Sequence, residues 1–286
     1  MSRGRPDRAI GRRQGHPRQR RLHRESLGGE RVEGIHAVRE LLVAGRRNVE
    51  ELVVVSGDVS SPALDEIVEL ARSKAVPVRT VKPAAFDAFA LSAAPQGVAA
   101  LAEPIVAADL GELAGGAERP GSLNANRIPF LVVLSEVTDP HNLGAILRSA
   151  LAAGATGVVI GKRRSAPLTA TALKAAAGAA EHLPIVAVAS IAQAVGELAQ
   201  RGVWTVGLDP DGDVRISDLE IADRPLALVA GAEGRGLTPL VRRRCDLLCR
   251  IPLYGPVESL NVSVAVALAA FTIAASRKEP ERSRKT

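Results

Sequence analysis

Six short apolar runs recur through the second half of the chain, at residues 129–134, 156–160, 185–188, 203–208, 226–230 and 248–251. They restrict the fold more than any other feature. The first, Pro129-Phe-Leu-Val-Val-Leu134, shows no polar alternation. A strand apolar at every position has to be covered on both faces. Most of the gaps between runs read as helix. Strand–helix–strand repetition of this kind gives a parallel sheet with helices on both sides and right-handed crossovers. Ligands of such sheets bind beyond the carboxyl ends of the strands. The turns after Leu134, Ala230 and Ile251 fall at those ends, all three are polar, and one crevice can take them all.

The third turn, Gly255-Pro-Val-Glu-Ser-Leu-Asn-Val-Ser263, runs into an Ala- and Leu-rich stretch, 264–275, without Gly or Pro. That stretch continues as helix. Ser259, Asn261 and Ser263 therefore stand where loop becomes helix, able to cap free N–H groups or to hold a ligand. In the first turn, Asp139-Pro140 starts a helix as N-cap and first helical residue, and Gly154 ends it. Arg148 lies on that helix among Gly144, Ala145, Leu151 and Ala152. A guanidinium on so small and apolar a face needs an anion, a snorkelling route or a substrate. An ion pair with Glu136 or Glu233 is the structural alternative. Asn142 can supplement the cap, and a lone His141 is more often structural than a base. The second turn, Gly231-Ala-Glu-Gly-Arg-Gly236, lets backbone approach a ligand. Its glycine order and late position are not those of a dinucleotide fingerprint, and Glu233 suits a cationic or hydroxyl-bearing ligand better than a phosphate.

The first half reads as a smaller α/β unit. Strands are expected at 51–56, 76–81 and 98–102, and helices near 33–42 and at 62–74 and 83–91. Residues 109–127 are Gly-rich with little periodicity and read as linker. Charge concentrates in the tails: nine Arg against one Asp in residues 1–24, and five basic against two acidic residues in 277–286. With the whole chain at +6, the body between them is net acidic. A block of like charge with few apolar residues cannot fold alone and is suited to nucleic-acid phosphates or to solubility. Aromatics are only 2% of residues, so base stacking has few platforms. Cys245 and Cys249 read as small packed side chains, no Cys/His cluster has metal spacing, and no apolar run is long enough to span a membrane. A cytoplasmic protein is expected.

Together the three turns resemble the signature motifs of the SpoU (TrmH) family of RNA ribose 2′-O-methyltransferases. The motifs are Thr138-Asp-Pro-His-Asn-Leu-Gly-Ala-Ile-Leu-Arg148, Leu228-Val-Ala-Gly-Ala-Glu-Gly-Arg-Gly236 and Ile251-Pro-Leu-Tyr-Gly-Pro-Val-Glu-Ser-Leu-Asn-Val-Ser263. The smaller unit looks like the L30e-type RNA-binding domain of the subgroup acting on 23S rRNA. The resemblance implies a basic disordered arm at 1–31, an L30e-like domain at 32–104, a linker at 105–128, a SPOUT-type methyltransferase domain at 129–277 and a tail at 278–286. It implies an α/β fold whose parallel sheet ends in a trefoil knot, an exception to the unknotted rule. It also implies a homodimer through that domain and no metal. S-adenosylmethionine is expected against Gly231, Ile251 and Leu260, with Asn142, Arg148, Glu233, Ser259 and Asn261 as functional side chains. The expected reaction is methylation of a 2′-hydroxyl in 23S rRNA or a large-subunit precursor, at a guanosine of the peptidyl-transferase loop. Two alternatives stand beside it: an adenosine enzyme of the antibiotic-resistance type, and a non-catalytic RNA-binding assembly factor. Arg148 is a poor base; its expected work is to grip a phosphate and steady the developing alkoxide.

Overall fold

The computed structural model describes residues 25–57, 61–92, 94–115 and 127–277. The first strand, β1 (Arg31–Glu33), is followed by α1 (Ile35–Ala44), β2 (Val49–Val55), α2 (Pro62–Ser73), β3 (Val78–Val81), α3 (Pro83–Phe89) and β4 (Val98–Ala102). These form a mixed four-stranded sheet in the order β1-β4-β2-β3, with β3 parallel to β2 and the other pairs antiparallel. Helix α2 starts as its sequence demands: Ser61 caps the Leu64 N–H and Pro62 opens the first turn.

The larger sheet is wholly parallel. Its elements are α4 (Leu110–Ala114), β5 (Phe130–Leu134), α5 (Pro140–Ala152), β6 (Gly157–Gly161), α6 (Ala170–Ala176), α7 (Ala179–His182), β7 (Ile185–Val188), α8 (Ile191–Gln200), β8 (Trp204–Leu208), β9 (Val214–Arg215), β10 (Leu226–Ala230), α9 (Pro239–Arg242), β11 (Leu247–Arg250) and α10 (Val262–Ser276). The strand order is β7-β6-β5-β10-β8-β11-β9. Strand β5 feeds two cores. Phe130, Val132 and Leu134 pack with α5, α6 and α10, whereas Leu131 and Val133 pack with α4 and α8. The unbroken apolar run follows from this double burial. Strand β11 lies between β8 and β9, and the loop joining those two crosses it closely. A Cβ on Gly212 would sit 2.6 Å from the Cys249 carbonyl carbon, so only glycine allows the crossing.

The chain departs from the expected boundaries in three places. Residues 25–31 are not a disordered arm: Leu27 N–H donates to Ile105 O (2.8 Å), Ile105 N–H to Gly28 O (2.8 Å) and Ala107 N–H to Glu25 O (2.8 Å). Backbone pairing and the apolar Leu27 tie them to the body. Residues 1–24, which hold the arginine block, lie outside the described residues, as does the 278–286 tail. The first part of the linker is structured too. Asp109 caps α4 by accepting from Glu112 N–H, Ala108 N–H donates to Ile185 O (2.8 Å), and Leu110 and Leu113 are buried. Gly157 makes room for Leu113, since a Cβ there would come within 1.9 Å of it. Residues 116–126 lie outside the described residues. Strands β1 and β9 are unanticipated, and at two or three residues they are too short to leave a periodic signal.

The two sheets share a continuous apolar core, from Val38 and Leu41 of α1 to Leu173 of α6. A buried ion pair pins the junction: Arg47 meets Glu181 through Nε (3.0 Å) and Nη2 (2.5 Å), and also donates to Gly29 O (2.8 Å) and Glu103 O (2.6 Å). Both cysteines are free; Cys249 is buried and Cys245 partly so. No helix among the described residues is long and apolar enough to cross a membrane.

Candidate active site

The three polar turns meet. Strand β5 delivers the turn that ends at Asp139, whose carboxylate accepts from His141 N–H (2.9 Å) and so starts α5. This leaves Asn142, in the first turn, buried and facing the turn after β10. There Ala232 and Gly236 exchange backbone hydrogen bonds (3.1 and 2.8 Å) and close a tight loop, with Gly234 and Gly236 at φ +74° and +62°. Gly231 sits against the far side of that loop, where a Cβ would come within 2.0 Å of Gly236 C and O. The loop therefore needs glycine at 231 for space and at 234 and 236 for backbone angle, and it holds Glu233 at its tip.

Glu233 takes amides from both neighbouring turns. Asn142 Nδ2 donates to Oε2 (3.1 Å) and Asn261 Nδ2 to Oε1 (3.3 Å), while Asn261 Nδ2 also donates to Asn142 Oδ1 (3.0 Å). Asn261 is at the same time the N-cap of α10. Its Oδ1 accepts from Ser263 N–H (2.9 Å) and Ser263 Oγ–H (2.6 Å). Capping and site-building, alternatives in the sequence, are carried out by one side chain: the oxygen caps the helix and the amide nitrogen builds the cluster.

Beside this cluster is a crevice enclosing ≈ 740 Å³ of empty, solvent-open space. Gly231, Glu233, Ile251, Ser259 and Leu260 line it, all five singled out from the sequence. Ser259 is exposed and has no hydrogen-bond partner among the described residues. The crevice also takes in Leu208, Asp209, Cys249 and Glu258, which the sequence did not mark. Asp209 follows β8 and Cys249 lies on β11, so each is betrayed only by sheet order. Asp209 is held by Arg242 (2.7 Å), and an apolar floor with carboxylates at Glu233 and Glu258 suits a ligand with an apolar body and a cationic or hydroxyl-bearing part. Burial pushes the Cys249 thiol up to about 11. It stays protonated near neutral pH and is neither nucleophile nor thiolate ligand. Among the described residues no group of three His, Cys, Asp or Glu could hold a metal ion.

Arg148 is not brought to this crevice. It lies six residues beyond Asn142, roughly 240° further round the helix at about 100° per residue. It is exposed and lines a different cleft, beside α1 and α7. Neither anticipated ion pair forms, because Glu136 pairs with Arg164 (2.8 Å) and Glu233 is taken by the two asparagines. The small face around Arg148 has a packing cause: α5 lies so close to α6 that a Cβ on Gly144 would sit 2.4 Å from Ala172 O. His141 is exposed, and its side chain has no partner among the described residues.

A parallel sheet with a ligand crevice built from three turns, joined to a smaller mixed sheet, defines a two-part α/β protein with its site at the carboxyl ends of the strands. The sequence model of the SpoU rRNA Methylase family matches residues 129–271, and that for RNA 2′-O ribose methyltransferase substrate binding matches residues 31–105. The chain belongs to the SpoU rRNA methylase family and is an RNA 2′-O-methyltransferase. It is 39% identical over 252 residues to the 23S rRNA (guanosine-2′-O-)-methyltransferase RlmB of Pseudomonas putida, covering 87% of this chain and 97% of that one. It is 38% identical over 249 residues to a Staphylococcus aureus (strain COL) protein assigned to the TrmH family of tRNA/rRNA methyltransferases, covering 87% and 96%. The fold is similar to that of the SpoU methyltransferase AviRb of Streptomyces viridochromogenes, solved in complex with AdoMet. The TM-score there is 0.68 at 24% identity, over 86% of this chain and 89% of that one.

Proposed function

We propose that this enzyme transfers the methyl group of S-adenosylmethionine to the 2′-hydroxyl of a guanosine in the peptidyl-transferase loop of 23S rRNA, acting on the rRNA or a large-subunit precursor in the cytoplasm. The carrying observation is the Asn142–Glu233–Asn261 cluster at the rim of a crevice with an apolar floor. The similarity to the Pseudomonas putida enzyme over nearly its whole length supports the choice of rRNA and guanosine.

The residues fit the methyl donor. A Cβ at Gly234, Gly236 or Gly255 would meet nothing within 4 Å, so backbone is open to a ligand around the crevice. Gly231, Ile251 and Leu260 would hold the donor, and the carboxylates of Glu233 and Glu258 complement a positive centre, whereas Asp209 is held by Arg242 (2.7 Å). S-adenosylmethionine supplies a methyl on a sulfonium; the S–C bond breaks as the O–C bond forms, and the electron pair stays on sulfur. The chain's part is to place the ribose in line. Asn142 and Asn261 fix the Glu233 carboxylate from two sides, and Ser259 offers a free hydroxyl to the substrate. Arg148 does not line this crevice within one chain, so the part of its role that rests on the chain alone is to grip an RNA phosphate.

We further infer a homodimer and a trefoil knot. The exposed, regularly spaced Val264, Leu268 and Phe271 of α10 form an apolar stripe that supports the first. The passage of β11 beneath the 209–213 loop supports the second. The test of function is transfer of labelled methyl to unmodified large-subunit rRNA, with the product nucleotide mapped and Arg148→Ala run alongside. Label at one peptidyl-transferase-loop guanosine, lost in the variant, is expected. Label at an adenosine overturns the nucleotide assignment, and RNA binding without label on rRNA, precursor particles or tRNA overturns catalysis.

A further inference from the structure

The chain has six aromatic side chains. Phe86 and Phe130 are buried in the cores. Phe89 lies under the Arg31 guanidinium, 4.0 Å from its ring centre. Trp204 begins β8, at the end of the strand remote from the donor crevice, and Phe271 belongs to the exposed stripe of α10. Tyr254 is 93% exposed, more than any other large apolar side chain among the described residues, and its hydroxyl has no partner there. It stands in the turn after β11, between Leu253 on one side and Glu258 and Ser259 on the other, all three of which line the donor crevice. Val257 is exposed in the same turn. Pro252 and Pro256 bracket the ring and fix φ on both sides of it. A Cβ at Gly255 would meet nothing within 4 Å, so nothing in the described chain closes over that point. Single exposed apolar side chains are ordinary. A bare ring on a proline-braced turn, at the mouth of a ligand crevice, has no packing cause.

We propose that Tyr254 stacks on the base of the nucleotide being methylated and so holds its ribose at the crevice. The inference rests on the function proposed above and adds a substrate-binding residue to it. The reaction itself brings a base to this place. The 2′-oxygen has to come within about 3–3.5 Å of the donor methyl, and the base of the same nucleotide hangs from the neighbouring ribose carbon. The base therefore arrives at the crevice mouth and lies against one of its walls. Those walls are the glycine loop with Glu233, the turn at Asp209 and the turn that carries Tyr254. Only the last offers an aromatic face. The carboxylates of Glu233 and Glu258 repel a phosphate there, which leaves the uncharged base as the part of the strand that fits. Bases of unpaired RNA are free to unstack and settle on a protein ring. The two prolines leave the turn little freedom to lose when a base lands on it.

The test uses the full-length protein and a large-subunit rRNA fragment. The nucleotide that takes up labelled methyl with wild type is then replaced by an abasic one that keeps its 2′-hydroxyl. Affinity for the intact fragment should fall about 5- to 150-fold in Tyr254→Ala, the range of one base–aromatic stack. Tyr254→Phe keeps the ring and should bind within about 2-fold of wild type. Removing the base should weaken wild type by a factor like that of Tyr254→Ala, and should weaken Tyr254→Ala itself by no more than about 2-fold, because the stack is already gone. Donor affinity by calorimetry should hold throughout, since the ring does not line the donor crevice. Tyr254→Ala that binds the intact fragment like wild type, or that loses as much as wild type when the base is removed, overturns the stack. A lower sedimentation mass for Tyr254→Ala also overturns it, for the ring would then be covering a second copy of the chain. Coupling between the ring and a labelled adenosine refutes the guanosine reading and sustains the stack. Label at the guanosine without coupling does the reverse.

Discussion

The two clefts of this protein are built on opposite terms. In the crevice at the carboxyl ends of β5, β10 and β11, one polar cluster at the rim is tied together while Ser259 is left free: Glu233 accepts two amides, and Asn261 both donates and caps. In the cleft between α1 and α5, His36 and Arg148 have no partner among the described residues, and Glu40 shares Arg39 with Glu66 and meets His182. The first arrangement is fixed before any ligand arrives, as precise alignment of reacting atoms requires. The second leaves a permanent cation, Arg148, exposed and unpaired among the described residues. The first is assembled from one unit and the second from two.

The sharpest way to break the contrast is to empty the tied cluster. Glu233→Ala leaves the buried Asn142 Nδ2 without its acceptor and removes one of the two acceptors of Asn261 Nδ2. Loss of one preorganised polar group at a reacting centre costs roughly 10²–10³-fold in kcat. Single-turnover methyl transfer should show that loss, with rRNA affinity within about 2-fold of wild type. A comparable fall in RNA affinity would mean that the two clefts are not separate in function. Glu181→Gln comes next and attacks the other side. It leaves Arg47 buried with carbonyl partners only, at Gly29 and Glu103. Breaking a buried pair from one side costs about 3 kcal/mol or more, read as a lowered midpoint in urea. If the junction sets RNA register, KM for rRNA should rise at permissive temperature while donor affinity holds.

Much of the first cleft was legible in the sequence, and little of the second. Asn142, Glu233 and Asn261 stand one each in three turns, and an alternation of apolar runs with helices places those turns at one edge of a parallel sheet. Arg148 belonged to the same motif as Asn142, but the helix period turns it away, and motif membership does not report direction. The cleft it does line takes its walls from α1, α5 and α7, far apart in the chain, so no local pattern announces it. The same limit hid β1, β9 and α4, elements of two to five residues held by tertiary contact and not by propensity. Residues 105–115 looked like linker because glycines and prolines follow closely, yet Leu110 and Leu113 are enough to dock them.

The smallest effect concerns how dry the donor crevice is beneath its rim. Cys249 forms part of its floor and Cys245 lies just behind, and burial raises both thiols, to about 11 and about 12. The folded state therefore keeps protons that the unfolded chain releases above about pH 9. The stabilisation is complete below that pH and is lost as pH climbs through 11 and 12. Burial pulls the pKa of Arg277 down, while four backbone carbonyls accept from its guanidinium and favour the charged form. The interval from pH 9 to 10 isolates the thiols. Unfolding free energy should decline there, by less than about 1.4 kcal/mol per pH unit for each thiol, the limit for a single proton. In Cys249→Ala the decline should be shallower, because one of the two retained protons is gone. An identical slope in the variant would mean that water reaches the floor as freely as it reaches Arg148, and the contrast between a sealed crevice and an open one would shrink to a contrast in hydrogen bonding alone.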